Sequence, residues 1–122
     1  MAKDDERYRD GPRFSLERVR DLVATAIIPA TNARDEVRLV LGCSDQAARK
    51  YIRIKLRELT ERDYVKRFVF SSGPNNGRQA DVYCVEDGEL SWYVKIRIDD
   101  QDLLVVHSFH PPRDPLKKRS LR

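Results

Sequence analysis

The sequence predicts an α+β fold, with N-terminal helices packed on a C-terminal antiparallel β-sheet of about four strands. Two observations carry this. Apolar residues recur at helical spacing up to about residue 60 and then switch to strand-like alternation and β-branched or aromatic runs. The later runs are separated by short polar turns, which makes them successive hairpins.

The first segment, residues 1–13, is charged, ends in Gly11-Pro12 and reads as a flexible arm. Phe14 to about Ala26 reads as a helix, because Leu16, Val19, Leu22, Val23 and Ala26 share a face. Ser15 is placed to cap it, and Pro29 to stop it. Thr31 or Asn32 would cap a second short helix with Val37, Val40 and Leu41 along its apolar edge. Gly42 suits that helix's C-terminus. Ser44 would cap a third helix, Asp45 to about Leu59. Its apolar stripe is Ala48, Ile52, Leu56 and Leu59. A second stripe, Arg49, Arg53 and Arg57, is either a solvated face or a docking surface.

Tyr64 to Phe70 is the first strand, and a turn cluster follows at residues 71–77. Ala80 to Val85 is the second strand. Trp92–Ile98 and Leu103–His110 form the last hairpin, across Asp99-Asp100-Gln101-Asp102. In the third strand Trp92, Val94, Ile96 and Ile98 alternate with Tyr93, Lys95 and Arg97. The first set should face the helices and the second should face outward. Pro111 and Pro112 end the sheet. Residues 14–110 thus form one domain, and residues 111–122 a basic tail.

The 122 residues suit a single domain. They carry 24 Lys and Arg against 20 Asp and Glu, a net charge of +4. That balance mildly favours an anionic partner. Cys43 and Cys84 form no C-x-x-C pair and read as free thiols of a reducing, cytoplasmic setting. No apolar run approaches the ~20 residues of a membrane helix. No membrane partner and no signal peptide are expected.

No metal or other cofactor is expected. His107 and His110 lie three apart on a strand, so alternation sends them to opposite faces, too few ligands for a site. No G-x-S-x-G elbow is present, and the Gly73–Gly77 loop lacks the Lys-Ser/Thr of a phosphate loop. What remains is a polar set on the sheet: Lys66, Arg67, Arg78, Gln79, Tyr83, Tyr93, Lys95, Arg97, His107 and His110. Taken singly, each reads as an ordinary strand residue. Together they have the chemistry to cleave RNA without a metal. RNA supplies its own nucleophile, the ribose 2′-OH. The protein need only remove its proton, neutralise the phosphorane and protonate the leaving oxygen.

The order of several short segments resembles the MqsR family of toxins, within the RelE-like ribonuclease fold. The segments are Phe14 to Val23, Leu59 to Lys66, Asp81-Val82-Tyr83, Tyr93-Val94-Lys95-Ile96 and Val106 to His110. The resemblance implies the toxin of a toxin–antitoxin pair. Such a protein is an endoribonuclease that cleaves single-stranded mRNA and is neutralised by a cognate antitoxin encoded nearby. It assigns catalytic positions to Lys66 and Tyr93. The family's terminal lysine is replaced here by His110, and histidine exchanges a proton near neutral pH. The family's glutamine position is occupied by Ala80, with Gln79 preceding it. On a strand that slip reverses the face, so Gln79 serves only if a bulge corrects it. Arg67, Arg78, Tyr83, Lys95 and Arg97 are the candidate RNA-binding residues.

Two other readings stand beside this one. The third helix and the Val65–Val85 hairpin could form a winged-helix DNA-binding regulator. The chain could also be a noncatalytic, protein-binding relic of the toxin fold.

Overall fold

A computed structural model describes residues 11–113. The first ten residues of the expected arm lie outside that range. So do residues 114–122, with the basic cluster Lys117, Lys118, Arg119 and Arg122.

Among the described residues three α-helices precede four strands. Helix α1 spans Leu16–Leu22, and the Oγ of Ser15 accepts from the Arg18 amide at 3.1 Å. A single tight turn, Val23–Thr25, follows it. The helix expected to reach Ala26 ends sooner because residues 26–28 are drawn to the sheet. The Ile27 amide donates to the Leu104 carbonyl at 2.8 Å, and the Ile27 carbonyl accepts from the Val106 amide at 2.9 Å. This bridge occupies part of an edge that would otherwise present unpaired backbone groups.

Thr31 and Asn32 do not cap the second helix. They lie in an irregular turn, Ala30–Arg34, where Asn32 takes φ 64°. Asparagine is among the few residues that adopt this left-handed conformation readily. Helix α2 then runs Asp35–Leu41, with Asp35 and Glu36 favourably placed against the positive end of its dipole. Gly42 terminates it at φ 64°. Helix α3 spans Asp45–Arg57, and the Ser44 Oγ accepts from the Ala47 amide at 3.1 Å. Its stripe, Ala48, Ile52 and Leu56, is buried, as is Leu59 just beyond it.

The strands are β1 (Tyr64–Val69), β2 (Gln79–Asp87), β3 (Leu90–Ile98) and β4 (Leu104–His110), paired antiparallel in the order β1-β2-β3-β4. Among the described residues the helices cover one face of the sheet. There Val19, Val23, Val37, Ile52 and Leu56 pack with Trp92, Val94, Ile96, Leu104, Val106 and Phe109. Burial of such side chains contributes about 1.5–3 kcal/mol each. The buried indole is also satisfied: Trp92 Nε1 donates to the Tyr51 hydroxyl at 2.9 Å, which donates to Asp87 at 2.6 Å.

Residues 11–13, expected to belong to the arm, are held. The Arg13 and Phe14 amides donate to the Asp81 carboxylate at 2.8 and 2.9 Å. The Gly11 carbonyl accepts from the Tyr64 hydroxyl and from Arg67 Nε. The ordered domain therefore begins no later than Gly11.

Two register shifts decide what the uncovered face carries. In β1, Tyr64 pairs with Tyr83 but Lys66 pairs with Val82, so Val65 and Lys66 together oppose one residue. In β4, Val106 pairs with Ile96 but Ser108 pairs with Lys95, so His107 and Ser108 together oppose one residue. At such a bulge the simple alternation of faces fails.

Candidate functional site

The uncovered face is built from cross-strand rows. Lys66, Val82, Lys95 and Ser108 form one row across all four strands. Cys84, Tyr93 and His110 form the next. Arg97 and Val105 lie on the other side of the lysine row. Val65, Val82 and Cys84 form a small apolar floor, flanked by Phe68 and Tyr93.

Above that floor the polar groups are tightly arranged. The Tyr93 and His110 rings stack, with centroids 5.1 Å apart and planes 12° from parallel. The Lys95 ammonium sits 3.6 Å from the Phe68 ring centroid, with Phe70 and Tyr93 at 5.6 and 5.8 Å. Burial lowers the Lys95 pKa, and the charge of Lys66 lowers it further. Burial raises the Tyr93 pKa, so its phenol remains protonated at neutral pH. A depression of about 490 Å³ opens here. Its lining holds three cations, Lys66, Lys95 and Arg113, and no carboxylate. Tyr93, Ser108 and His110 complete the sheet side, with Asn32 and Pro112 beside them.

The candidate residues divide sharply. Lys66, Tyr93, Lys95 and His110 come together in the depression. Arg97 continues the same face but is nearly buried, with its Nη2 donating to Asn75 Oδ1 at 3.2 Å. Arg67, Gln79 and Tyr83 are not in this cluster. Arg67 pairs with Asp81 and Gln79 with Val69, both with the parity of the helix-covered face. Tyr83 is fully buried there, edge-on to Tyr64 at 5.7 Å. β2 has no register shift near Gln79, so no bulge returns it to the open face. Ala80 takes that face instead, opposite Phe68. Arg78 lies in the loop before β2 and is paired with Asp100.

The histidines correct the simple alternation. His107 was expected to oppose His110, yet the bulge brings it to the same side. It packs on Phe70 with centroids 4.9 Å apart. Burial first, then Arg97 and Lys95, push its pKa down to about 4. At neutral pH it is therefore uncharged. Among the described residues no group of three or more His, Cys, Asp or Glu side chains is placed to hold a metal ion.

Asn32, Ser108 and Arg113 were missed by sequence reasoning. Ser108 was within reach, since it stands two residues before His110 and so shares its face. Asn32 carried no such signal, because only the chain's return along β4 brings it near.

No family model, curated protein or solved structure matches this chain.

Proposed function

We propose that the open sheet face binds single-stranded RNA and cleaves it without a metal. In this reading the chain is the cytoplasmic endoribonuclease toxin of a toxin–antitoxin pair. The observation that carries it is the cation set of the depression. Lys66 and Lys95 share a row, one lowering the pKa of the other, with no carboxylate between them. Like charges held in a partly buried site favour an incoming anion. The stacked Tyr93–His110 pair beside them offers a surface to a base, and base stacking contributes about 1–3 kcal/mol.

The chemistry follows from these positions. His110 takes the 2′-OH proton as the oxygen attacks phosphorus. Lys66 neutralises the phosphorane, and Tyr93, as a neutral phenol, donates a hydrogen bond to a phosphate oxygen. Breaking the P–O5′ bond leaves a 2′,3′-cyclic phosphate and, after protonation, a 5′-hydroxyl.

Two further observations support the reading. Helices precede a four-stranded antiparallel sheet, the α+β arrangement expected from the residue pattern and compatible with the toxin resemblance. β1 and β2 also belong to a continuous four-stranded sheet, whereas a winged-helix protein would present them as a projecting wing. No helix of the described residues is long and apolar enough to cross a membrane.

The test is cleavage of an RNA oligonucleotide and its counterpart with 2′-deoxyribose at the cut site, both in EDTA. The expected result is cutting of the first alone, with cyclic phosphate ends. Cutting of the deoxy substrate, or activity that returns only with Mg²⁺, overturns the mechanism. Growth arrest on induction, relieved by the neighbouring antitoxin, tests the biological role. Unimpaired growth with soluble protein present argues for the relic.

A further inference from the structure

We propose that Lys95 is the general acid that protonates the leaving 5′-oxygen. This rests on the RNA-cleaving reading above and adds a catalytic residue to it.

In-line displacement places the attacking and leaving oxygens on opposite sides of phosphorus. The proton acceptor and the proton donor must therefore stand apart. Lys95 pairs with Ser108, and His110 lies two residues further along β4. Such diagonal neighbours are about 7–8 Å apart at Cα. A phosphate between His110 and Lys95 thus has a base on one side and an acid on the other.

The Lys95 ammonium is held but not engaged. The faces of Phe68, Phe70 and Tyr93 surround it. Aromatic faces attract the cation without taking its proton. Among the described residues no carboxylate acts on it: burial and the charge of Lys66 are what its environment supplies. The direction of the pKa changes separates Lys95 from Tyr93 as the proton donor. Burial and Lys66 make Lys95 a stronger acid than an ordinary lysine. Burial makes Tyr93 a weaker acid than an ordinary tyrosine.

The step balances. The P–O5′ bond breaks and its electron pair goes to O5′. A proton from Lys95 Nζ forms the 5′-hydroxyl and leaves a neutral amine. His110 holds the proton taken from the 2′-OH. Exchange with water restores both groups.

The experiment uses two RNA substrates, one ordinary and one with sulfur replacing the bridging 5′-oxygen at the cut site. A thiolate leaves without protonation. Lys95→Arg keeps the charge but cannot give up a proton at accessible pH. Lys95→Met keeps the apolar stem against Phe68, and a thermal midpoint near that of the unaltered protein verifies its folding. Both variants should lose ~10²–10⁴ in rate on ordinary RNA. Most of that loss should be recovered on the 5′-thio substrate. Equal loss on both substrates makes Lys95 a phosphate-holding residue and overturns the assignment. So does ordinary-RNA cleavage by Lys95→Arg at the unaltered rate. Failure of the unaltered protein to cut either substrate removes the RNA reading itself, and the assignment with it.

Discussion

Asp81 gives the sharpest test of the energetics that hold the N-terminal segment on the sheet. Its side chain is fully buried, yet it accepts the Arg13 and Phe14 amides and pairs across strands with Arg67. Burial opposes its charge, while the two amides and the Arg67 and Arg13 guanidiniums support it. Burial prevails, and the pKa rises from the ordinary 3.8 to about 6. At ~1.4 kcal/mol per pH unit this rise corresponds to about 3 kcal/mol. The folded state binds the proton more tightly than the unfolded chain does. Stability from this group is therefore complete below about pH 4 and is lost as pH rises towards about 6. Asp81→Asn removes the titration. It also weakens the amide contacts, but by an amount independent of pH. The stability of the unaltered protein minus that of Asp81→Asn should thus fall by about 3 kcal/mol between about pH 3 and pH 7. Denaturant midpoints across that range measure it. A difference that is flat, or that grows with pH, would show that the amides and Arg67 outweigh burial and would refute the reasoning.

Other outcomes follow from the same packing. Ile96→Ala, on the helix-covered face with no exposure, should cost on the order of 2–5 kcal/mol. Lys95→Ala should cost about 1–2 kcal/mol, the scale of a partly desolvated cation–π contact, so an equal or larger shift in denaturation midpoint than for Ile96→Ala would contradict the facing of β3. His107 should titrate near pH 4 by NMR. Because its folded pKa is depressed, the stability linked to it is present above about pH 6.5 and is lost as pH falls towards 4. An ordinary midpoint would mean that the β4 bulge does not bury it. Lys66→Ala and His110→Ala should each slow RNA cleavage by ~10²–10⁴ while remaining folded. Unchanged rates in both would remove the open face as the catalytic site. With three cations lining the depression, affinity for single-stranded RNA should fall with salt at a logarithmic slope of about −2.

Local chemistry in the sequence determined the elements. Ser15 and Ser44 cap helices because a side-chain oxygen can accept an orphan amide at a fixed offset. Gly42 ends α2 because glycine takes the left-handed conformation without strain. Trp92, Val94, Ile96 and Ile98 share the buried face because strand alternation is a property of the backbone. The gathering of Lys66, Tyr93 and His110 was expected from the order of motifs, and the sheet does bring them together. Tertiary structure decided the rest. Alternation is lost at a bulge, and bulges depend on pairing between strands distant in sequence. Hence His107 shares a face with His110, while Gln79, with no bulge beside it, stays on the other. Tyr83 looks from sequence like a surface tyrosine, and only its tertiary packing, edge-on to Tyr64 within the main core, makes it core. The same holds for Gly11 to Arg13, a loose arm by composition, which Asp81, Tyr64 and Arg67 hold from over fifty residues away.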